Sequence, residues 1–526
     1  MHLDTAAADS AAGDAAAGDA ADVAGRLATF DALLTPVGEE LLARAEEALA
    51  SGAELAAGTR LRAAGHPPDL VAAAFSQAEL RARARAKFGH PERMFFTRPG
   101  LEQASSERAA AHRAARFEGL GRLADLCTGI GGDLLALAGE HPVLAVDRDP
   151  LHLRMAVHNA TAGRGAHSAT AGRGAHSGSH EPPEVHEPDK SNEVHGSHEV
   201  HEVRPWEGDV RDADLSGIDG VFVDPARREG DQRRSAGAGE PPLSWCFGLV
   251  ERVAAVAVKA APGLPLEVVP PGWEVEFVAD RRGLKEAVLF SPALASAPRR
   301  ATVLLGPDNA PGDNAPGSGT SGSGTRSKNT PGGSIPGSGT PGDRADHGLG
   351  SGRNGDQPRL RVATLTGEPD PPGGASDADA GDGGGATRLT LGRPEGFLFD
   401  PNPAVTRAGL VGTLARLVDG WQIDPMIAFL CAQNPVATPF ARVLRVEAEM
   451  AFDVRRVAAA VRAAGIGALD VRRRGLAGDV ESIRRRLLPA RRQLVPGGPT
   501  MTVIMTRVRD EPWAILCTEI PDRQIT

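Results

Sequence analysis

Four aspartates stand at the ends of four successive short runs that read as strands in the first half of this chain. Asp125 lies in Leu123-Ala124-Asp125-Leu126, Asp147 follows Val143-Leu144-Ala145-Val146, Asp209 follows Glu207-Gly208, and Asp224 follows Gly220-Val221-Phe222-Val223. A carboxylate can hold an ammonium, a pair of hydroxyls or an amino group through charge-assisted hydrogen bonds, or it can take up a proton. Between the first two aspartates stands Cys127-Thr128-Gly129-Ile130-Gly131-Gly132-Asp133, a turn of small residues that leads into the apolar helix Leu134 to Ala138. Such a turn lets a ligand lie against backbone N–H groups. In open α/β sheets ligands bind beyond the carboxyl ends of the strands, so the four acids would line one crevice. Taken singly, each is also what a loop or a helix cap uses. Together they describe a pocket for a nucleoside cofactor.

The residues narrow the cofactor. A dinucleotide fingerprint needs a third glycine, and Leu134 stands in that place. There is no phosphate-loop lysine. Asp125 would repel a pyrophosphate, but it suits a cofactor with a cationic amino group, such as S-adenosylmethionine. The run resembles motif I of the class I S-adenosylmethionine-dependent methyltransferases, with Cys127 in place of the first glycine. The resemblance implies Asp125 near the methionine ammonium, with Cys127, Gly129, Gly131 and Asp133 in the cofactor turn. It also implies Asp147 on the ribose hydroxyls and Asp209 near the adenine. Asp224-Pro225-Ala226-Arg227-Arg228 resembles motif IV, which puts Asp224, Pro225 and Arg227 beside the methyl acceptor. The match is incomplete: amino-methylating enzymes carry an aromatic after Asp-Pro-Pro, and this chain has Ala226 and Arg227 there and no tyrosine at all. Cys246 lies in an apolar run and reads as helix packing, not as a nucleophile. Arg227 and Arg228 suit a phosphate or a surface acid equally.

The elements that must position these residues fall into several units. The chain has 526 residues, room for two or three domains. Residues 1–22 are alanine- and aspartate-rich, are expected to be disordered, and do not read as a signal peptide. Residues 23–118 show helical spacing, and residues 119–306 alternate strand and helix, an α/β Rossmann-like sheet closed by an antiparallel strand. A low-complexity insert at 161–203 carries a tandem copy of Ala160 to Ser168 and a His/Glu/Pro stretch, read as a solvated loop and not as a metal site. A second insert, 307–390, is Gly/Ser/Pro/Asp-rich and is expected to be a disordered, dispensable linker. The four cysteines have no C-x-x-C spacing, so no metal centre or disulfide framework is expected. No apolar run is long enough to span a membrane, so a cytoplasmic protein is expected.

Residues 391–526 form a separate unit that reads β-α-β-α-β-β from Val443 onward. The formal net charge of the chain is −10, yet from Phe440 to the end there are 16 arginines against 10 acids and no lysine. The arginines cluster at Arg472, Arg473, Arg474 and at Arg484, Arg485, Arg486, and such clusters suit phosphate backbones as well as solvated helix faces. The whole layout resembles bacterial class I methyltransferases with an N-terminal helical region and a C-terminal α/β THUMP-like domain. The matching pieces include Thr97-Arg98-Pro99-Gly100-Leu101-Glu102-Gln103 and Val471-Arg472-Arg473-Arg474-Gly475. That resemblance implies an RNA substrate. A non-catalytic RNA-binding protein with a vestigial cofactor fold, and a small-molecule or protein methyltransferase, remain as alternatives; the oligomeric state is left open.

Overall fold

The computed structural model describes residues 21–162, 201–227, 239–306, 361–370 and 389–520. The tandem copy and most of the His-rich stretch of the first insert lie outside them.

The chain opens with helices α1 (21–33), α2 (Pro36–Ser51), α3 (Glu54–Ala63), α4 (Pro68–Ala84), α5 (Arg98–Gln103) and α6 (Glu107–Ala114). Local chemistry sets their ends. Thr35 accepts the Gly38 N–H at the start of α2, and Gly52 closes it in the left-handed region at φ 69°. The apolar faces of the first helices share one cluster that also takes in Ile130, Leu151 and Met155 from the next unit. The N-terminal helices therefore rest on the glycine turn itself.

The central sheet is built from β1 (Leu123–Leu126), β2 (Val143–Asp147), β3 (Val203–Glu207), β4 (Gly220–Val223), β7 (Ala255–Ala260), β8 (Glu274–Asp280), β9 (Gly283–Phe290), β10 (Arg299–Leu305) and β11 (Arg361–Gly367). A separate short pair, β5 (Ala226–Arg227) and β6 (Gly239–Glu240), hangs beyond β4. The sheet order is β11-β10-β8-β9-β7-β4-β1-β2-β3. The strands from β3 to β7 run parallel, and β9 is inserted antiparallel between β7 and β8. Alternate residues feed opposite cores. Leu123, Val143 and Phe222 pack under α6, α7 (Leu134–Glu140) and α8 (Pro150–Ala162). Leu126, Val146 and Val223 pack with α9 (Leu243–Gly248) on the other face. Strands covered on both faces read as continuous apolar runs, which is why they are visible in the sequence.

The second insert departs from expectation. Strand β11 lies inside 307–390 and pairs antiparallel with β10 from Arg361↔Leu305 to Gly367↔Arg299. Leu365 is buried. Beyond it, the Asp370 carboxylate accepts the N–H groups of Val411 and Gly412 at 2.8 and 2.9 Å. A seven-residue strand rich in β-branched residues is lost when composition is averaged over the whole insert.

The C-terminal unit comprises β12 (Phe397–Pro401), α10 (Pro403–Ala408), α11 (Val411–Leu417), β13 (Trp421–Asp424), β14 (Ile427–Ala432), β15 (Ala441–Ala451), α12 (Val454–Ala463), β16 (Ala468–Arg473), α13 (Val480–Leu487), β17 (Thr500–Val508) and β18 (Glu511–Glu519). Its sheet runs β13-β14-β12-β15-β18-β17-β16. The expected β-α-β-α-β-β series is β15-α12-β16-α13-β17-β18, and β12 to β14 extend its sheet. Helices α12 and α13 cover one face. Residues of α10 and α11 instead join the core of the methyltransferase-like sheet, so the two sheets are stapled together by the chain between them.

Asp370 is the acceptor at the start of α11, and losing such a cap costs about 0.5–2 kcal/mol. Asp370→Ala should lower the melting temperature, and removal of 361–370 should lower it further. A variant that lacks 308–358 and keeps β11 should melt near the wild type. Calorimetric melting of the three variants checks this, and equal melting of all three would return β11 to linker status.

Candidate cofactor and acceptor site

The glycine turn has an unusual backbone for its sequence. Cys127 has φ 62°, and Gly129 and Gly131 follow at 54° and 84°. A non-glycine residue in that region costs about 1–2 kcal/mol, which explains why a glycine is the easier residue at position 127. A Cβ on Gly131 would come within 2.9 Å of the Ala156 Cα on α8, so turn and helix are in backbone contact. Asn159, fully buried on α8, donates to the Ile130 and Phe95 carbonyls at 2.9 and 3.0 Å and accepts the Phe95 N–H at 2.8 Å. Thr97 Oγ1 accepts the Gly100 N–H and lies 2.8 Å from His152 Nε2. A Cβ on Gly100 would collide with the Ile130 side chain. The Thr97 to Gln103 motif thus braces the turn from above.

The four strand-end aspartates differ in state, and of the four Asp147 and Asp209 line one pocket. Asp125 is buried on β1. Its Oδ2 accepts from Thr128, and its Oδ1 has no partner among the described residues. Burial, reinforced by the carboxylates of Asp133, Asp224 and Asp147, pushes its pKa up to about 8. Asp147 accepts the Gly129 N–H at 2.8 Å and the Asp149 N–H at 2.9 Å, so it also shapes the turn. Asp209 accepts the Arg211 N–H at 3.0 Å and its guanidinium at 2.8 Å, and Arg211 reaches on to Glu240 on β6. Cys127, Asp147, Gly208, Asp209, Arg211 and Glu240 line one pocket. Burial and the nearby carboxylates hold the Cys127 thiol neutral.

Asp133 faces elsewhere. Its carboxylate takes Arg113 Nε at 2.9 Å and Ser105 Oγ at 2.7 Å, and Arg113 also pairs with Glu286 on β9. Burial alone would raise the Asp133 pKa, but Arg113 and Lys259 outweigh it and hold the group below the usual carboxylate range. Asp224 forms an ion pair with Lys259 Nζ at 2.7 Å, and the same nitrogen donates to Ser105 Oγ at 3.0 Å. Burial opposes the charge on Lys259, yet Asp224, Asp133 and Glu286 raise its pKa, so it stays an ammonium. Asp224 caps no helix: Pro225 follows it into β5, whose Arg227 side chain, like Arg228, lies outside the described residues. Cys246 is fully buried on α9, and burial pushes its thiol up to about 12.

Sequence reasoning missed Lys259, Ser105, Arg113 and Glu286. Lys259 left a signal, because it is a charged residue at the carboxyl end of an apolar strand, as the four aspartates are. Arg113 left none, since a buried arginine and a surface arginine look alike in a basic helix. Among the described residues no group of three or more His, Cys, Asp or Glu is placed to hold a metal ion, and no helix is long and apolar enough to cross a membrane.

A parallel sheet with one antiparallel insertion, a left-handed glycine turn after β1 and acids at four strand ends define a class I S-adenosylmethionine-dependent methyltransferase. The chain belongs to this family. It is 30% identical, over 82% of its own length and 90% of theirs, to uncharacterised S-adenosylmethionine-dependent methyltransferases of Mycobacterium tuberculosis strains H37Rv and CDC 1551. A solved structure described as a methyltransferase from Porphyromonas gingivalis W83 shares the fold at TM-score 0.52 and 15% identity, with 86% of this chain and 91% of that one covered. Residues 441–519 match a THUMP domain-like family, and residues 22–84 match a domain of unknown function. The cofactor is S-adenosylmethionine. The residues present fit it: an unpartnered carboxylate oxygen on Asp125 for a cation, open space beside Gly129 where a Cβ would meet nothing, and acids at the second and third strand ends.

Gly131→Ala would add left-handed strain and a clash with α8. It should cost about 1–3 kcal/mol of stability and weaken cofactor binding. Gly248→Ala, whose Cβ meets nothing, is the control. Thermal melts and calorimetric titration with S-adenosylmethionine check both, and unchanged melting of the Gly131 variant would show that the turn tolerates a side chain.

Proposed function

We propose that the chain transfers a methyl group from S-adenosylmethionine to RNA, with the acceptor held at the Asp224–Lys259 pair. The observation that carries the reading is this pair, partly open to solvent at the end of β4, alongside the buried Asp125, whose Oδ1 has no partner among the described residues. Bound S-adenosylmethionine supplies an electrophilic methyl group. The chain's own residues do the rest. Asp125 would hold the cofactor's ammonium, Asp147 its ribose hydroxyls and Asp209 its adenine edge, around the backbone of Cys127, Gly129 and Gly131. Asp133 contributes through Arg113 and Ser105 by fixing the start of α7. Because Lys259 remains an ammonium, it is no base; it pairs with Asp224 and aims it. Asp224 would then orient an acceptor N–H or take its proton, Pro225 would fix the loop, and Arg227 would grip an adjoining phosphate or carbonyl. RNA as the substrate class is supported by the THUMP domain-like match, since such domains are associated with RNA-modifying enzymes, and by the arginine excess of that unit.

Asp224→Ala should abolish methyl transfer to bulk RNA while cofactor affinity stays near wild type; the melting temperature falls, because the buried Lys259 ammonium loses its carboxylate. Asp147→Ala should instead cost about 1–3 kcal/mol of cofactor affinity. Methyl incorporation and calorimetry separate the two variants. Normal transfer by the Asp224 variant would remove it from the reaction.

The raised Asp125 pKa gives a further expectation. With its folded pKa near 8, Asp125 is mostly protonated at pH 7, and an arriving ammonium favours the carboxylate. Cofactor binding should therefore release close to one proton at pH 7 and fewer as pH rises through 8. The same shift penalises the folded chain increasingly as pH climbs from the ordinary carboxylate range to 8. Titration calorimetry in buffers of different ionisation enthalpy reads the proton directly. Asp125→Asn should abolish the release, and a wild type that releases none would leave the ammonium without its partner.

A further inference from the structure

Sequence reading groups Arg472, Arg473 and Arg474 as one surface cluster; the structure divides them. Arg473 turns to the Gly478 carbonyl. Arg472 and Arg474 turn the opposite way, toward Asp400 at the end of β12. Arg472 Nη1 lies 3.3 Å from Asp400 Oδ2, and Arg474 Nη1 lies 3.9 Å from Oδ1. Three strands separate β12 from β16 in the sheet order, a span of about 19 Å in a flat sheet. The contact therefore requires the sheet to roll. The rolled face is filled by Leu398, Ile427, Phe429, Leu444, Ile504 and Ile515, and Asp510 N–H closes it against Asp424 at 3.0 Å.

At the open end of the roll, charge is out of balance. Arg282, from the turn between β8 and β9, reaches across from the methyltransferase sheet to Asp400 Oδ2 at 2.9 Å. Three guanidinium groups thus meet at Asp400, and Arg472 Nε also donates to Asp470 Oδ2 at 2.9 Å; with Arg442 that sets four arginines against Asp400, Asp470 and Glu519. Arg442 stands directly across from Asp400 on β15, on the same face. It is 5% exposed; its Nη2 bonds Glu519 at 2.6 Å, while its Nε and Nη1 are buried without a hydrogen-bond partner among the described residues. Arg474 Nη1 is likewise buried and without one. Burial and the neighbouring arginines lower the Arg282 pKa against the opposing pull of Asp400. Leaving guanidinium donors buried and unpaired is costly, so an evolved fold that keeps four arginines here has a use for them. The mouth stays open: the side chains of Arg282, Arg472 and Arg474 are 38, 29 and 33% exposed.

We infer that Arg282, Arg442, Arg472 and Arg474 form a phosphodiester-binding site at the seam of the two sheets, in which Asp400 holds the arginines apart until a phosphate takes its place. Guanidinium groups recognise phosphate bidentately, and a site that draws Arg282 from one sheet and Arg472 and Arg474 from the other would fix the substrate relative to the methyl-transfer crevice. The inference deepens the RNA reading and rests on it for the identity of the polymer, but the anion chemistry stands on the arginines alone.

Two probes keep those apart. Inorganic phosphate should raise the melting temperature of the full chain; the double variant R472Q/R474Q should lose that rise, and Asp400→Asn should keep or enlarge it. In filter binding to bulk cellular RNA, the double variant should bind at least tenfold more weakly, with a log–log salt slope shallower by about two, and Asp400→Asn should bind more tightly. Asp400→Asn breaks the Asp400 pairs of Arg472 and Arg474 that the double variant breaks, and that of Arg282 across the seam as well, yet leaves the arginines, so a loss caused only by loosening the seam would appear in both variants and overturn the proposal. Equal phosphate stabilisation of wild type and R472Q/R474Q would overturn it too. Arginine-dependent stabilisation by phosphate with no binding of RNA would uphold the anion site and overturn the RNA reading.

Discussion

The guanidinium of Arg113 is wholly buried, and the crevice is assembled around it. It joins α6 to Asp133 at the end of the glycine turn and to Glu286 on the antiparallel β9, and it lies 5.4 Å over the Phe222 ring of β4. Lys259 extends the network through Ser105 to Asp224. Desolvating one such ion costs several kcal/mol, and removal of one member of a buried pair costs about 3–5 kcal/mol because the other is left uncompensated. The network is therefore stable only with all its members in place. Turn, β4 and antiparallel strand are specified together, and Asp133, which sequence position assigns to the cofactor, is engaged by Arg113 and Ser105 instead.

The same constraint explains the basic helix α6. Arg108 and His112 of α6 meet Asp280 and Glu276, and Arg116 in the turn just after the helix meets Glu274, three contacts against one strand. Glu274 and Glu276 are fully buried in the sheet, where Arg300 and Thr302 of the neighbouring β10 also bond them. Burial would raise the Glu276 pKa, but His112 and the Thr302 hydroxyl bring it down to about 2. The charge on this helix is matched inside the molecule. A basic helix in this chain is thus no index of nucleic-acid binding unless its partners are counted first.

That point marks what is legible in the sequence. The parallel strands are, because burial on both faces makes them apolar runs and a strand-end acid interrupts the pattern. The β15 to β18 series is, because its hydrophobic period switches cleanly between strand and helix. Strand β11 is hidden by the composition around it. The Arg113–Glu286 pair is hidden by its separation of 173 residues along the chain. Arg472 and Arg474 are visible as charges but not as a site, because what distinguishes them from Arg473 is strand alternation combined with the roll of the sheet.

The seam between the two sheets follows from these constraints. Strand β12 pairs with β14 and β15 in the second sheet, and the chain then passes directly into α10, which packs on β8 and β10 of the first. Asp400 sits at that crossing, Asn402 donates to the Arg281 carbonyl at 2.6 Å one step later, and Asp370 caps α11 beyond it. A hinge built from a long linker would leave the two units free to reorient. A buried helix shared by both cores does not. The orientation of the THUMP-like sheet relative to the strand ends is thereby set by apolar packing, and polar groups at the seam are left for recognition.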